Sequence, residues 1–577
     1  MPRRLPLRHI RFSSSTVPSL AGVDAVRIVA EGMVDVGTLG NDRTGGSMAI
    51  ASDSGASDST EPDSTVLVST PYGDVLGYPV AADASPILAW RGIPYATPPV
   101  GKLRFRAPRP LQPWSGVLDG LEFGAMAPQG RDSPVPIDPS LSISEDCLTL
   151  NVWAPRPDAE LRPVLVWIHG GAYSLGSSAQ RVYDGRNLSE NGDVVVVTIN
   201  FRLGPFGFLD LSSFSTDEHT FETNLGLRDQ IAALQWVREC ISAFGGDPDQ
   251  VTVFGESSGG ASVTTLMTSP KAEGLFQRAI VQSAPATSVY GPDRGAAVAS
   301  RFLELVGVDR EDIGELFDMH FTRLVTAGDT LCYEIPTTVP GTLGLSPVVD
   351  GDIVPRYPVA AFQKGLSHKI PLIIGTNHDE PSIFRFMKSP LMPITSDTVS
   401  EMFRAIAHDH ADLPAYRVAE IMAAYPDRDK PAGAQAISRD AGFLMPSVWI
   451  ADGHSRHSPT WMYRFDHATP MLKAARVGAG HATELPYVFG NFGTLSRDPT
   501  FWLGGRKPAM AVSARMQRRW LAFARYGVPA ALDASKHWAP YTEQARWTLV
   551  IDASDTLVDD PDGEMRAAWG DRVLGFS

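Results

Sequence analysis

Residues 254–260 read FGESSGG, two adjacent serines boxed in by glycines. A serine carries acyl-transfer chemistry when a base takes its proton and amide donors receive the oxyanion that forms. Local spacing distinguishes the two serines. A serine on a sharp strand-to-helix turn adopts a strained backbone, and the residues two positions to either side must be small. Ser257 has Gly255 and Gly259 at those positions, whereas Ser258 has Glu256 and Gly260 and fails on one side. Ser257 is the candidate nucleophile. The pattern alone also fits an ordinary Gly/Ser turn. Here 251–254 (VTVF) read as a strand and the residues after Ser257 as a helix, which favours the catalytic reading.

The donors and the proton acceptor must come from elsewhere in the chain. Ser258 N–H follows the nucleophile and is the first oxyanion donor. A second source is the loop His169-Gly170-Gly171-Ala172, directly after the apolar stretch VLVWI (164–168). Its glycines can turn their amides toward a ligand without interference from a Cβ. His169 reads as a residue that orients this loop. Chain order then calls for an acid followed by a histidine. PLIIG (371–375) leads into His378, Asp379 and Glu380, and residue chemistry does not choose between the two carboxylates. Among the later histidines, His481 stands out in the small-residue loop of VGAGHATELPYVFG (477–490). His408 and His410 lie in a polar stretch, and nothing nearby completes a metal site.

The elements that position these residues follow from periodicity. Runs such as VVVVTIN (194–200) are β-branched and read as buried parallel strands. They alternate with helical patterns such as 224–243. This implies an α/β chain with a large, mostly parallel sheet covered on both faces. Ligands in such sheets sit at the carboxyl ends of the strands. TVLVSTPYGDVLGY (65–78) reads as an antiparallel hairpin. Residues 1–64 are Arg- and Ser-rich, then disordered in composition, and are expected to form a disordered extension. Residues 65–577 are expected to form a single domain.

Composition excludes several function classes. The net charge of −15 argues against nucleic-acid binding, which needs a basic field. No apolar run is long enough for a membrane span, and no secretory h-region is present. The 3 scattered cysteines form no disulfide framework and suit a reducing, cytoplasmic compartment. Oligomeric state, monomer or dimer, is open at this level.

These motifs, taken together, resemble the type-B carboxylesterase and cholinesterase family of α/β-hydrolases over about residues 65–555. The resemblance is carried by WRGIPYATPPVGKLRF (90–105), SEDCLTLNVWAP (144–155), HGGAY (169–173) and NFRLGPFGFL (200–209). It continues through FGGDPDQVTVFGESSGG (244–260), GTNHDE (375–380) and GAGHATELPYVFG (478–490). It implies an α/β-hydrolase fold with cap insertions and a serine carboxylesterase with no cofactor or metal. Ser257 matches the nucleophile, Glu380 the acid and His481 the base. Gly170, Gly171 and Ser258 match the oxyanion amides. The family also implies ion pairs between Arg104 and Glu145 and between Arg202 and Asp229. Ser258, Pro381 and Ala482 replace the Ala, Gly and Gly usual in the family. Ala127 stands where many relatives have Cys, so the resemblance implies a free Cys147. No Trp occurs in 128–146, where cholinesterases place the aromatic that holds a quaternary ammonium, which argues against a choline esterase.

The expected substrate is a small-molecule ester, with activity rising from about pH 6 to pH 8 as the histidine deprotonates. The same machinery could act on carbamates, amides, lactones or polyesters. The competing class is a non-catalytic relative used for adhesion. The substrate pocket is expected from 320–345, 381–400 and 435–450.

Overall fold

Val195–Ile199 is β-branched throughout, and such side chains pack well on a pleated surface. It forms a strand buried along its whole length. The computed structural model describes residues 65–80, 87–130, 139–387, 389–410, 412–492, 498–533 and 536–576. The expected disordered extension, 1–64, lies outside the described residues.

Thirteen strands among the described residues form one sheet. They are β1 (Val66–Thr70), β2 (Gly73–Pro79), β3 (Ile87–Pro94), β4 (Val117–Asp119), β5 (Thr149–Pro155), β6 (Arg162–Ile168) and β7 (Val195–Ile199). They continue as β8 (Gly246–Glu256), β9 (Arg278–Gln282), β10 (Leu372–Asn377), β11 (Thr460–Phe465), β12 (Trp547–Ile551) and β13 (Thr556–Asp559). The order is β1-β2-β3-β5-β7-β6-β8-β9-β10-β11-β12-β13, with β4 beside β2. The run from β7 through β12 is parallel; the flanking strands pair antiparallel, except β4, which lies parallel to β2. The predicted hairpin is β1–β2, closing with Thr70 opposite Gly73.

Strand alternation builds a core on each face. Val164, Val166 and Ile168 point into one cluster; Leu165 and Trp167 point into the other. The helix Leu225–Cys240 covers the first face with Leu227, Ile231 and Leu234. The helix Arg506–Tyr526 covers the second with Val512, Met516 and Trp520. The predicted 224–243 helix ends earlier than expected. A 3-10 turn, Ile241–Phe244, takes over and Gly245 closes it at φ 80°. Helical insertions fill the chain between β9 and β10 and between β10 and β11.

Both family-implied ion pairs form. Arg104 grips Glu145 through two 2.6 Å hydrogen bonds. Arg202 grips Asp229 at 2.8 and 2.6 Å and also donates to the carbonyls of Arg104 and Arg106. Arg202 and Asp229 are 1% and 0% exposed. Removing one partner strands a buried charge. Asp229→Ala is therefore expected to destabilise by about 3–5 kcal/mol, read as a lowered denaturant midpoint. All 3 cysteines are free thiols. No helix among the described residues is long and apolar enough to cross a membrane.

Candidate active site

The elbow's steric logic is visible in the backbone. Ser257 sits between β8 and the helix Ser258–Leu266 at φ 57°, ψ −129°, a conformation that residues with side chains rarely adopt. A Cβ on Gly255 would come within 2.7 Å of the Gly259 backbone. A Cβ on Gly259 would come within 2.1 Å of the Ile168 carbonyl. Both glycines are required by close backbone approach. Ser257 N–H is held by the Gln282 carbonyl at 2.9 Å.

Four parallel strands deliver the site from their carboxyl ends. Ser257 follows β8, Gly170 and Gly171 follow β6, Glu380 follows β10 and His481 follows β11. The structure brings Ser257, His481 and Glu380 into one hydrogen-bonded line. His481 Nε2 lies 2.8 Å from Ser257 Oγ, and His481 Nδ1 lies 2.6 Å from Glu380 Oε2. Glu380 is fully buried, and its other oxygen accepts the Asn377 N–H at 2.8 Å. The two carboxylates that residue chemistry left open are separated by geometry. Asp379 instead accepts the Ala479 N–H at 3.0 Å and pairs with the half-exposed His378 at 2.9 Å. It clamps the loop that carries His481.

The N–H groups of Gly170, Gly171 and Ser258 have no internal partner among the described residues. Gly170 approaches Ser257 so closely that a Cβ would lie 2.9 Å from the serine Cβ. His169 Nδ1 contacts the Gly170 carbonyl at 2.8 Å, and its ring stacks on Phe201 at 4.5 Å. Burial pushes its imidazole down to about 4, so it stays neutral and serves the loop. Gln129 holds the far end of this loop, exchanging hydrogen bonds with Gly176 at 2.8 and 2.9 Å. Of the replaced positions, Pro381 sits comfortably at φ −75°, whereas Ala482 occupies the left-handed region at φ 64°.

Sequence reasoning missed two acids. Glu256 Oε1 lies 3.1 Å from His481 Nε2, without good hydrogen-bond geometry. Glu484 is buried and held by Asn377 at 2.6 Å and Gln282 at 3.1 Å. Their signal was position: one precedes the serine, the other lies three residues after the histidine. Their effect on the imidazole is large. Burial would lower His481, but Glu256, Glu380 and Glu484 outweigh it and lift it to about 9. Burial likewise pushes Glu256 up to about 8. The rise of activity with pH is therefore expected above the pH 6–8 window of an unperturbed histidine. Above about pH 8, where Glu256 is ionised, Glu256→Gln removes a negative neighbour of the imidazolium. It is expected to move the ascending limb of kcat/KM down by about one pH unit or more, read from a pH–rate profile.

A cavity of about 1080 Å³ opens onto Ser257 and His481. Its walls include Phe321, Val325 and Leu343 from one predicted segment and Phe384 and Leu391 from another. The third predicted segment, 435–450, contributes no wall. A π-helical turn, Asp440–Leu444, sets Phe443 against the His481 ring at 4.9 Å instead. The remaining wall comes from Leu472, Phe492 and Phe501, which lie on either side of the base loop 477–490 and outside all three predicted segments.

A serine, an imidazole base fixed by an acid, and free amides beside an apolar cavity can together transfer an acyl group. Comparison with known proteins points the same way. The family model described as "Carboxylesterase family" matches residues 64–569. The chain is 39% identical over 512 residues to the para-nitrobenzyl esterase of Bacillus subtilis (strain 168), covering 87% of this chain and 97% of that protein. It is 35% identical over 459 residues to the fumonisin B1 esterase of Sphingopyxis macrogoltabida, covering 78% and 80%. A crystal structure of the Geobacillus stearothermophilus carboxylesterase EST55 superposes with a TM-score of 0.75 at 36% identity, covering 87% of this chain and all of that one. The sheet and its helices are accordingly an α/β-hydrolase fold, and the chain belongs to the carboxylesterase family of ester hydrolases.

Proposed function

We propose that Ser257, His481 and Glu380 hydrolyse carboxylic esters through an acyl-enzyme, with residues 65–577 acting as one catalytic domain. The unbroken line of hydrogen bonds, 2.8 Å from serine to imidazole and 2.6 Å from imidazole to carboxylate, carries this reading. With Nδ1–H donated to Glu380, Nε2 presents its lone pair to the Ser257 hydroxyl. The hydroxyl proton moves to Nε2 as Oγ bonds to the ester carbonyl carbon. The carbonyl π electrons move onto oxygen, where the amides of Gly170, Gly171 and Ser258 receive them. The tetrahedral adduct collapses, the alcohol leaves with the proton from Nε2, and the acyl group stays on Ser257. Water then repeats the cycle and releases the acid.

The substrate class is a small-molecule ester with apolar substituents, supported by the size and lining of the cavity. The three free thiols support a reducing, cytoplasmic setting. The test is covalent. A fluorophosphate or sulfonyl fluoride should abolish turnover of p-nitrophenyl acetate and leave its adduct on Ser257. An adduct mapped to any other residue would sink the proposal.

A further inference from the structure

We infer that the side chain of Ser258 is a positioning residue that locks the glycine loop to the elbow and so sets the oxyanion site. This rests on the esterase reading above. Three consecutive residues of the loop, Gly171, Ala172 and Tyr173, have φ of 120°, 52° and 61°. Two of them carry side chains, so the surrounding structure must hold the loop in that shape. Tyr173 is held at three points. Its ring is buried against Phe208 at 4.6 Å. Its carbonyl accepts the Gly204 N–H at 2.8 Å. Its N–H donates to Ser258 Oγ at 3.2 Å.

The third contact is the only one of these that reaches the elbow. Ser258 is 3% exposed, so no solvent competes for the contact, and its side chain is not part of the cavity wall. One residue therefore serves both halves of the oxyanion site. Its own N–H is one of the three unpartnered amides, and its Oγ holds the loop that carries the other two. An alanine at 258 keeps the amide but leaves Tyr173 N–H buried without a partner, which costs stability in that geometry. The strained loop then gains freedom to relax, and the Gly170 and Gly171 amides lose their fixed distance from Ser258 N–H. Such donors act on the oxyanion and not on the ground-state ester, so the loss belongs in kcat.

The experiment compares Ser258→Ala with the parent on one nitrophenyl ester series. Rates are taken per active site titrated with a fluorophosphate, so unfolded protein is not counted. The expected result is a fall in kcat of roughly 5- to 30-fold, a fraction of what losing one donor costs. KM stays within about twofold, and affinity for a trifluoromethyl ketone, whose adduct carries the oxyanion, falls with kcat. Parental kcat and ketone affinity would overturn the inference, as would a loss confined to KM or to thermal stability. A parent protein without ester turnover, or labelled elsewhere than Ser257, would instead overturn the esterase reading beneath it.

Discussion

Ser257→Ala is expected to lower kcat for p-nitrophenyl acetate by about 10⁴–10⁶-fold while the protein stays folded. The hydroxyl is the only group of this residue that the mechanism uses. Removing it leaves His481 on Glu380 at 2.6 Å, and leaves the cavity and the glycine loop in place. Alanine meets the same backbone strain at φ 57° as serine does, so stability should change little. Measurement is by single-turnover and steady-state kinetics, with the thermal midpoint as control. Ester turnover within about tenfold of the parent would show that another group attacks the ester.

The second large effect is expected of Glu380→Gln, a loss of about 10⁴-fold in kcat. Glutamine preserves volume and one carbonyl oxygen, so Asn377 N–H keeps an acceptor where it now finds Oε1 at 2.8 Å. The other contact can invert. An amide NH₂ facing His481 Nδ1 favours the tautomer with the proton on Nε2, the atom that must accept the Ser257 proton. Removal of the carboxylate also lowers the imidazole pKa, because Glu380 is one of the groups that lifts it. The residual activity should therefore appear at lower pH than in the parent. A kcat within about tenfold of the parent, with an unchanged pH profile, would show that Glu380 neither orients nor charges the imidazole.

The fold was legible in the sequence wherever its cause is short-range. β-branched runs such as 195–199 mark buried strands because their side chains suit a pleated, two-sided surface. The helix following the elbow, and the hairpin from 66 to 79, are read from neighbours within a few residues. Boundaries were less legible. The end of the helix near Cys240 is set by the positive φ of Gly245 and by how the next turn packs.

The chemistry divides in the same way. Ser257 is distinguished from Ser258 within five residues, because a Cβ on Gly255 would meet the Gly259 backbone at 2.7 Å. That is local sterics, and sequence by itself determines it, together with the β/α alternation and the chain order of candidate acid and base. What only the tertiary structure decided is which side chains face one another. Glu380 and not Asp379 reaches His481 across 101 residues, and His481 reaches Ser257 across 224. Glu256 crowds the same imidazole and raises its basicity, an effect that depends on burial and on a 3.1 Å approach. The Ser258 hydroxyl finds the Tyr173 amide 85 positions away. The carboxyl ends of four strands create each of these contacts by converging on one point. Such convergence depends on strand order and loop path, which no short stretch of sequence encodes.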